Sequence, residues 1–224
     1  MQAHSTTRAR GRQAGFSFIE ILVVMAIIGV LATMVVALVP MIQERGRQTK
    51  SKDNVKSLIT FMVARRTGKV SGGWPKYNGK NFVLSVVATN DLDQRRRENL
   101  ELLFSPGDVL YTLEDVDIKR YEEVNKKSLK DGDFHELTSY AGRRNQERDF
   151  LITPDQEKIG TLLICDDDDG PLHHPDGIVC GYTGGDVRYK EWAEFDMSKP
   201  DPDNPDEFLG DASSNEELQR VLGH

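Results

Sequence analysis

An apolar run of 24 residues near the N-terminus, residues 16–39, constrains this chain more than any other feature. As a helix it would extend about 36 Å, which is enough to cross the hydrocarbon core of a bilayer. A cleaved secretory signal has a shorter apolar core, followed by a small-residue cleavage site on the far side. The run therefore predicts a membrane-spanning helix.

The run contains one charge, Glu20, about one turn from its start. A carboxylate in hydrocarbon costs several kcal/mol unless it meets a cation or remains near the interface. An interfacial Glu20 would be favoured by the helix dipole, which attracts negative charge to a helix N-terminus. The composition alone leaves both explanations open.

Charge is unevenly distributed along the 224 residues, which carry a net charge of -7. Arg8, Arg10 and Arg12 give the first fifteen residues +3, residues 40–70 carry +6, and residues 71–224 therefore carry -15. The strong negative charge of residues 71–224 argues against nucleic-acid binding, since phosphate contacts need clustered Lys and Arg. An exported soluble surface or cation binding fits it better.

The hexapeptide GFSFIE at residues 15–20, after a short basic leader, closely resembles the N-terminal processing motif of type IV pilins and type II secretion pseudopilins. The resemblance implies that prepilin peptidase cuts between Gly15 and Phe16 on the cytoplasmic side and methylates the new Phe16 amine. It also implies that Glu20, the fifth mature residue, pairs with the amino-terminal charge of a neighbouring subunit. The family often has Thr and Leu where Ser17 and Phe18 stand here. Orientation depends on this resemblance, because Lys and Arg flank the apolar run on both sides.

The resemblance implies an α+β pilin-like fold, in which a long N-terminal helix packs against a small antiparallel sheet. Apolar residues at helical spacing in residues 55–62 support the second half of that helix. Pro40 predicts a kink or local break. The predicted organisation is a leader at 1–15, a transmembrane and assembly helix at 16–39, an amphipathic continuation at 40–66, a globular head at 67–197, and an acidic Pro-rich tail with a short terminal helix at 198–224.

Within the head, β-rich runs at 159–165, 178–182 and 187–192 predict an antiparallel meander, with a hairpin at 184–186. Residues 93–104 read as a helix, and residues 82–88 as a strand or a short helix. The stretch from His174 to Gly185 is similar to the H-x9-DG ending of a group of pilin-like proteins, with Gly184 in place of the expected Asp. This stretch predicts a strand, a tight turn and a second strand.

Four consecutive acids suggest a cation site. Oxygen-rich groups suit Ca²⁺, some major pseudopilins bind calcium in the C-terminal part of the head, and the alternative is a solvated turn. The neighbouring His173 and His174 invite a metal or general-base role, although adjacent side chains in an extended segment point in opposite directions. The proposed calcium ligands are Asp166, Asp167, Asp168 and Asp169.

Cys165 and Cys180 form either a disulfide or two buried thiols.

The function implied by the resemblance is structural: a subunit of a type IV pilus or a type II secretion pseudopilus. Its partners would be prepilin peptidase, other subunits and the inner membrane, with the head periplasmic or extracellular and no nucleic acid. An enzyme is not expected, since no nucleophile motif such as G-x-S-x-G is present. The alternative is a membrane-anchored periplasmic binding or sensing domain that does not polymerise. The junction between Gly15 and Phe16, together with Glu20, distinguishes the two.

Overall fold

A computed structural model describes residues 16–68, 73–108, 112–132, 134–146, 148–166, 172–200 and 208–222. The chain forms two compact units, residues 1–43 and 44–224. Helix α1, Phe18–Thr67, has 50 residues and is assigned without interruption at Pro40. The local break predicted there is therefore wrong, since proline removes only one helical hydrogen bond, and the alternative, a kink at Pro40, stays a prediction.

In the first unit, the described residues are 16–43, and all of them are exposed. Large apolar side chains cover every side of the helix, from Phe16 to Ile42. Among the described residues, α1 is the one helix that is long and apolar enough to cross a membrane. A surface this apolar is untenable in water, so it requires lipid or other helices around it.

The second unit contains five β-strands: β1 Ala141–Arg143, β2 Leu162–Cys165, β3 Gly177–Tyr182, β4 Val187–Glu191 and β5 Val221–Leu222. They form an antiparallel sheet with the strand order β4-β3-β2-β1-β5. The predicted meander is confirmed as its β2-β3-β4 part, and the hairpin turn between β3 and β4 uses Gly185 at a φ of 81°.

The central strands β2 and β3 are buried on both faces, whereas the residues of edge strand β4 are half-buried or exposed. One face packs on the second half of α1, where Gly181 lets the backbone of β3 approach closely: an added Cβ would lie 2.7 Å from Val55 and 2.9 Å from Ile59. The opposite face is covered by the turn Trp192–Phe195 and by buried residues of the C-terminal segment, including Phe208 and Leu218. The two faces of the sheet therefore belong to two separate hydrophobic cores.

Short helices complete the second unit. Residues 82–88 are helical as part of α2, Gly79–Ala88. Only part of the predicted helix at 93–104 forms, as α3, Arg97–Leu100, followed by a 3-10 turn. The α-helices are α2 Gly79–Ala88, α3 Arg97–Leu100, α4 Ser128–Asp131 and α5 Pro154–Ile159, and the 3-10 turns are Glu101–Leu103, Ile118–Glu122, His135–Leu137, Arg148–Phe150, Trp192–Phe195, Gly210–Ala212 and Leu218–Arg220.

The short terminal helix predicted in the tail is wrong. The side chain of Asn215 accepts from the backbone N–H groups of Glu217 and Leu218, which starts a turn, but the helix stops after the 3-10 turn Leu218–Arg220. The next two residues form β5 and pair with the edge of β1, with Gly142 opposite Leu222. Pairing with an otherwise open strand edge and burial of Val221 outweigh local helix propensity here.

Candidate functional site

The predicted processing junction lies at the start of the described chain. Gly15 is outside the described residues, and Phe16 is 85% exposed. The backbone N–H of Ser17 donates to Glu20 Oε2 at 2.7 Å, and the carbonyl of Ser17 accepts from the N–H groups of Glu20 and Ile21. Ser17 therefore occupies the N-cap position, and Glu20 stands three residues later, as the acid of a capping box does.

This contact gives Glu20 a role within its own chain. Its carboxylate satisfies one of the backbone donors that a helix start leaves without an intrahelical partner. It also stands where the helix dipole favours negative charge. The explanation that the helix N-terminus itself favours Glu20 thus has a geometric basis. Pairing of Glu20 with the amine of a neighbouring subunit stays a prediction.

A second constellation, which the sequence did not predict as a unit, connects α1 to the sheet. His174 is fully buried and lies between two carboxylates: its Nδ1 is 2.6 Å from Glu44 Oε1, and its Nε2 is 2.8 Å from Asp166 Oδ2. Ser51, two turns after Glu44 on α1, donates its hydroxyl to the same Asp166 oxygen. We call these four side chains, Glu44, Ser51, Asp166 and His174, the helix–head network.

The geometry determines the protonation state of His174. A neutral imidazole has one N–H, whereas two carboxylate acceptors require a donor at each ring nitrogen. Burial disfavours the charged ring, but the hydrogen bonds and charges of Asp166 and Glu44 outweigh it, and the pKa of His174 is raised above its usual value. The network is therefore a carboxylate–imidazolium–carboxylate chain.

The carboxylate of Asp166 is fully engaged in the head. Its Oδ1 accepts from the backbone N–H of Val179 at 2.7 Å, its Oδ2 accepts from Ser51 and His174, and the residue is 0% exposed. A calcium ion at Asp166 would have to displace these donors. Asp167, Asp168 and Asp169 lie outside the described residues, and within the described part of the chain no His, Cys, Asp and Glu side chains group as a metal site.

The two adjacent histidines take part in different contacts. His173 is also buried, but its Nδ1 lies against the backbone carbonyl of Asp166 and its Nε2 is 3.6 Å from Asp108 Oδ2. His174 turns instead to Glu44 on α1. The two rings therefore do not converge on one point, which is what a shared metal site would require.

Cys165 and Cys180 lie directly opposite each other on β2 and β3 as buried free thiols. The N–H of Asp166 bonds the carbonyl of Val179 beside them, so the cysteines form a non-hydrogen-bonded pair, for which Cα atoms are about 4.5 Å apart. That separation lies at the short end of the disulfide range. Burial raises the pKa of the Cys165 thiol, as does its neighbour Cys180. The candidate disulfide stays a prediction.

Comparison with protein families places the prokaryotic N-terminal methylation motif at residues 10–36. The chain therefore carries the feature that marks the prepilin-type cleavage site of type IV pilins and pseudopilins. The resemblance noted on residues 15–20 is confirmed, and the architecture, a 50-residue apolar helix and a five-stranded antiparallel sheet, is α+β and pilin-like as expected. Searches against curated proteins and against solved structures found no match.

Proposed function

We propose that this prepilin-type chain is a structural subunit of a type IV pilus or a type II secretion pseudopilus, cut before Phe16 and assembled through α1. One observation carries the proposal: the methylation motif at residues 10–36 opens a helix whose large apolar side chains are all exposed as far as Ile42. A helix that is apolar on all sides fits lipid first and packed neighbouring helices afterwards. A subunit that moves from the bilayer into a filament needs a helix surface that is stable in both environments.

Glu20 has two tasks in this proposal. In the membrane-bound precursor its carboxylate caps the helix through the N–H of Ser17. In the filament it also meets the methylated amine of Phe16 from a neighbouring subunit, which offsets the cost of burying either charge. The pairing would fix the register between adjacent helices.

The helix–head network serves the same function in the second unit. A filament subunit is held by α1 while its head meets external load, so the head has to stay in register on that helix. Four hydrophobic residues of α1, Val55, Leu58, Ile59 and Met62, contribute non-directional adhesion. The directional contacts of His174 with Glu44 and Asp166 specify one position of the head along the helix.

Several parts of the proposal follow from the motif in general terms: processing by prepilin peptidase, association with other pilin-like subunits and a membrane anchor. We extend them to a single-pass inner-membrane topology with the head in the periplasm or outside the cell. Proteins that carry the motif are structural subunits, and we assign this chain no enzymatic activity.

The first experiment is coexpression with a prepilin peptidase, followed by mass spectrometry of the N-terminus. We expect a mature chain that begins with methylated Phe16. An intact leader, or a cut at another bond, would overturn the proposal. A cleaved chain that stays monomeric in the membrane in the presence of its assembly machinery would instead support the membrane-anchored binding or sensing domain.

Two substitutions at Glu20 separate its tasks. Glu20→Gln keeps an oxygen that can accept from the N–H of Ser17 but removes the charge, whereas Glu20→Ala removes both. If charge pairing drives assembly, both variants are cleaved normally and both are depleted from sheared filaments. Normal incorporation of Glu20→Gln would contradict the pairing role and would leave helix capping as the function of this residue.

A further inference from the structure

Four cations follow directly on the apolar part of α1, and the proposed function leaves them unexplained. Ile42 is the last exposed large apolar residue of α1. Arg45, Arg47 and Lys50 are exposed and Lys52 is half-buried, and none of the four forms an ion pair with a carboxylate in the described part of the chain. We call these four residues the basic collar.

The nearby acids do not neutralise the collar. Glu44 is held by His174 and by the side-chain amide of Gln48. Asp53 is exposed and lies beyond the collar. Lys52 places its Nζ 5.8 Å from the centre of the Tyr189 ring, a contact that leaves its positive charge in place. The collar is thus a net positive surface.

The collar cations lie on two opposite sides of the helix. At about 100° per residue, Lys50 and Arg47 lie roughly 140° and 200° around the axis from Arg45, and Lys52 lies about 20° on its other side. A protein partner that docks on one side of a helix is contacted by a stripe at i, i+3 and i+4 spacing. The residues of α1 that pack on the head, among them Ser51, Val55 and Met62, form such a stripe. Cations on two opposite sides of the helix, flanking the stripe that packs on the head, do not form such a stripe and fit a layer of anionic groups better than a single docked partner.

The length of the collar along the helix axis also fits the headgroup layer of a bilayer. Residues 45–52 rise about 10 Å along the helix, which is comparable to the polar layer of roughly 5 to 8 Å on each side of a bilayer core. We propose that the basic collar binds the anionic headgroups of phospholipids in the leaflet where α1 leaves the membrane. The inference depends on the proposed insertion of α1 into the bilayer.

This contact explains why cations follow the apolar run on the side to which the head is exported. Each Lys or Arg near an anionic surface strengthens the attraction about fivefold, and salt weakens it. Lipid binding at the collar would retain the subunit at a fixed depth until assembly. Extraction into a filament would then require these contacts to be broken.

The test uses the full chain in detergent with equimolar phosphatidylglycerol and phosphatidylcholine, and native mass spectrometry counts the lipids retained. The variant is Arg45→Gln/Arg47→Gln/Lys50→Gln. The matched control is Lys119→Gln/Lys126→Gln/Lys127→Gln, which removes three exposed charges from the head. We expect the wild type and the control to prefer phosphatidylglycerol, and the collar variant to lose that preference by on the order of 100-fold.

The other outcomes overturn the inference in distinguishable ways. If the wild type inserts into vesicles in a flotation assay but retains both lipids equally, the collar inference fails and the membrane anchor stands. If self-association of the wild type is lost in the collar variant without any lipid preference, the collar binds the acidic head of a second copy instead. If the chain does not float with vesicles of either lipid, the membrane anchor and the collar inference fail together.

Discussion

Substitution of His174 by alanine tests whether the helix–head network holds the head on α1. The substitution removes one charge-assisted contact to Asp166, which is fully buried, and one to Glu44, whose side chain is 22% exposed. Removing one partner of a buried ion pair costs about 3 to 5 kcal/mol because the other charge stays buried. Asp166 keeps its bonds from Ser51 and Val179, and Glu44 regains water, so we expect a loss of about 3 kcal/mol.

The assay is urea unfolding of the full chain in detergent, followed by tryptophan fluorescence. Trp192 is buried against the sheet, so its emission reports on the second unit. We expect a lower midpoint for His174→Ala with an unchanged m-value, which indicates a change in stability rather than in the surface exposed on unfolding. The control is His135→Ala, which removes an exposed histidine and should change stability by no more than about 0.5 kcal/mol.

The pH dependence gives an independent check on the same network. Because the pKa of His174 is raised in the folded state, its charge stabilises the fold fully below the unfolded value of about 6.5. That stabilisation is lost as the pH rises through the folded pKa. The stability difference between wild type and His174→Ala should therefore be largest near pH 6 and smaller at pH 9. An equal difference at both values, or one below about 1 kcal/mol at pH 6, would refute the charged network.

Three further predictions concern the head. Gly181→Ala places a methyl group 2.7 Å from a side chain of α1 and should destabilise the head by about 1 to 3 kcal/mol in the same urea assay. Gly184→Ala is the control, because the space around Gly184 is open and no destabilisation is expected there. Refolding in a glutathione redox buffer should join Cys165 to Cys180, with a mass lower by two hydrogens that Cys180→Ala does not show. A calcium site in residues 166–169 predicts that millimolar calcium raises the unfolding temperature, and a calorimetric titration without heat would eliminate it.

Features that are local in the sequence were predictable because short-range chemistry determines them. The apolar run predicts a membrane helix by its length, and residues 15–20 carry the processing motif in six consecutive positions. The β2-β3-β4 meander was predictable for the same reason, since each strand is a β-rich run and the Gly184–Gly185 turn joins two of them. Predictions failed where local propensity competed with distant partners. The terminal helix lost to pairing of β5 with β1, which lies about 80 residues away along the chain.

The sequence by itself determined that this chain has a prepilin-type N-terminus, an apolar helix and an acidic α+β head. The tertiary structure decided what the polar residues of the head do. Asp166 and His174 suggested a metal ligand and a general base when read along the chain, and folding joined them to Glu44 and Ser51, more than 100 residues earlier, as an ionic connection between helix and head. Burial and distant partners decide whether a carboxylate binds a cation, an imidazolium or water, and neither is visible in neighbouring residues. The role of Glu20 combines both sources: the sequence marked the carboxylate, and the structure gave it a donor in Ser17.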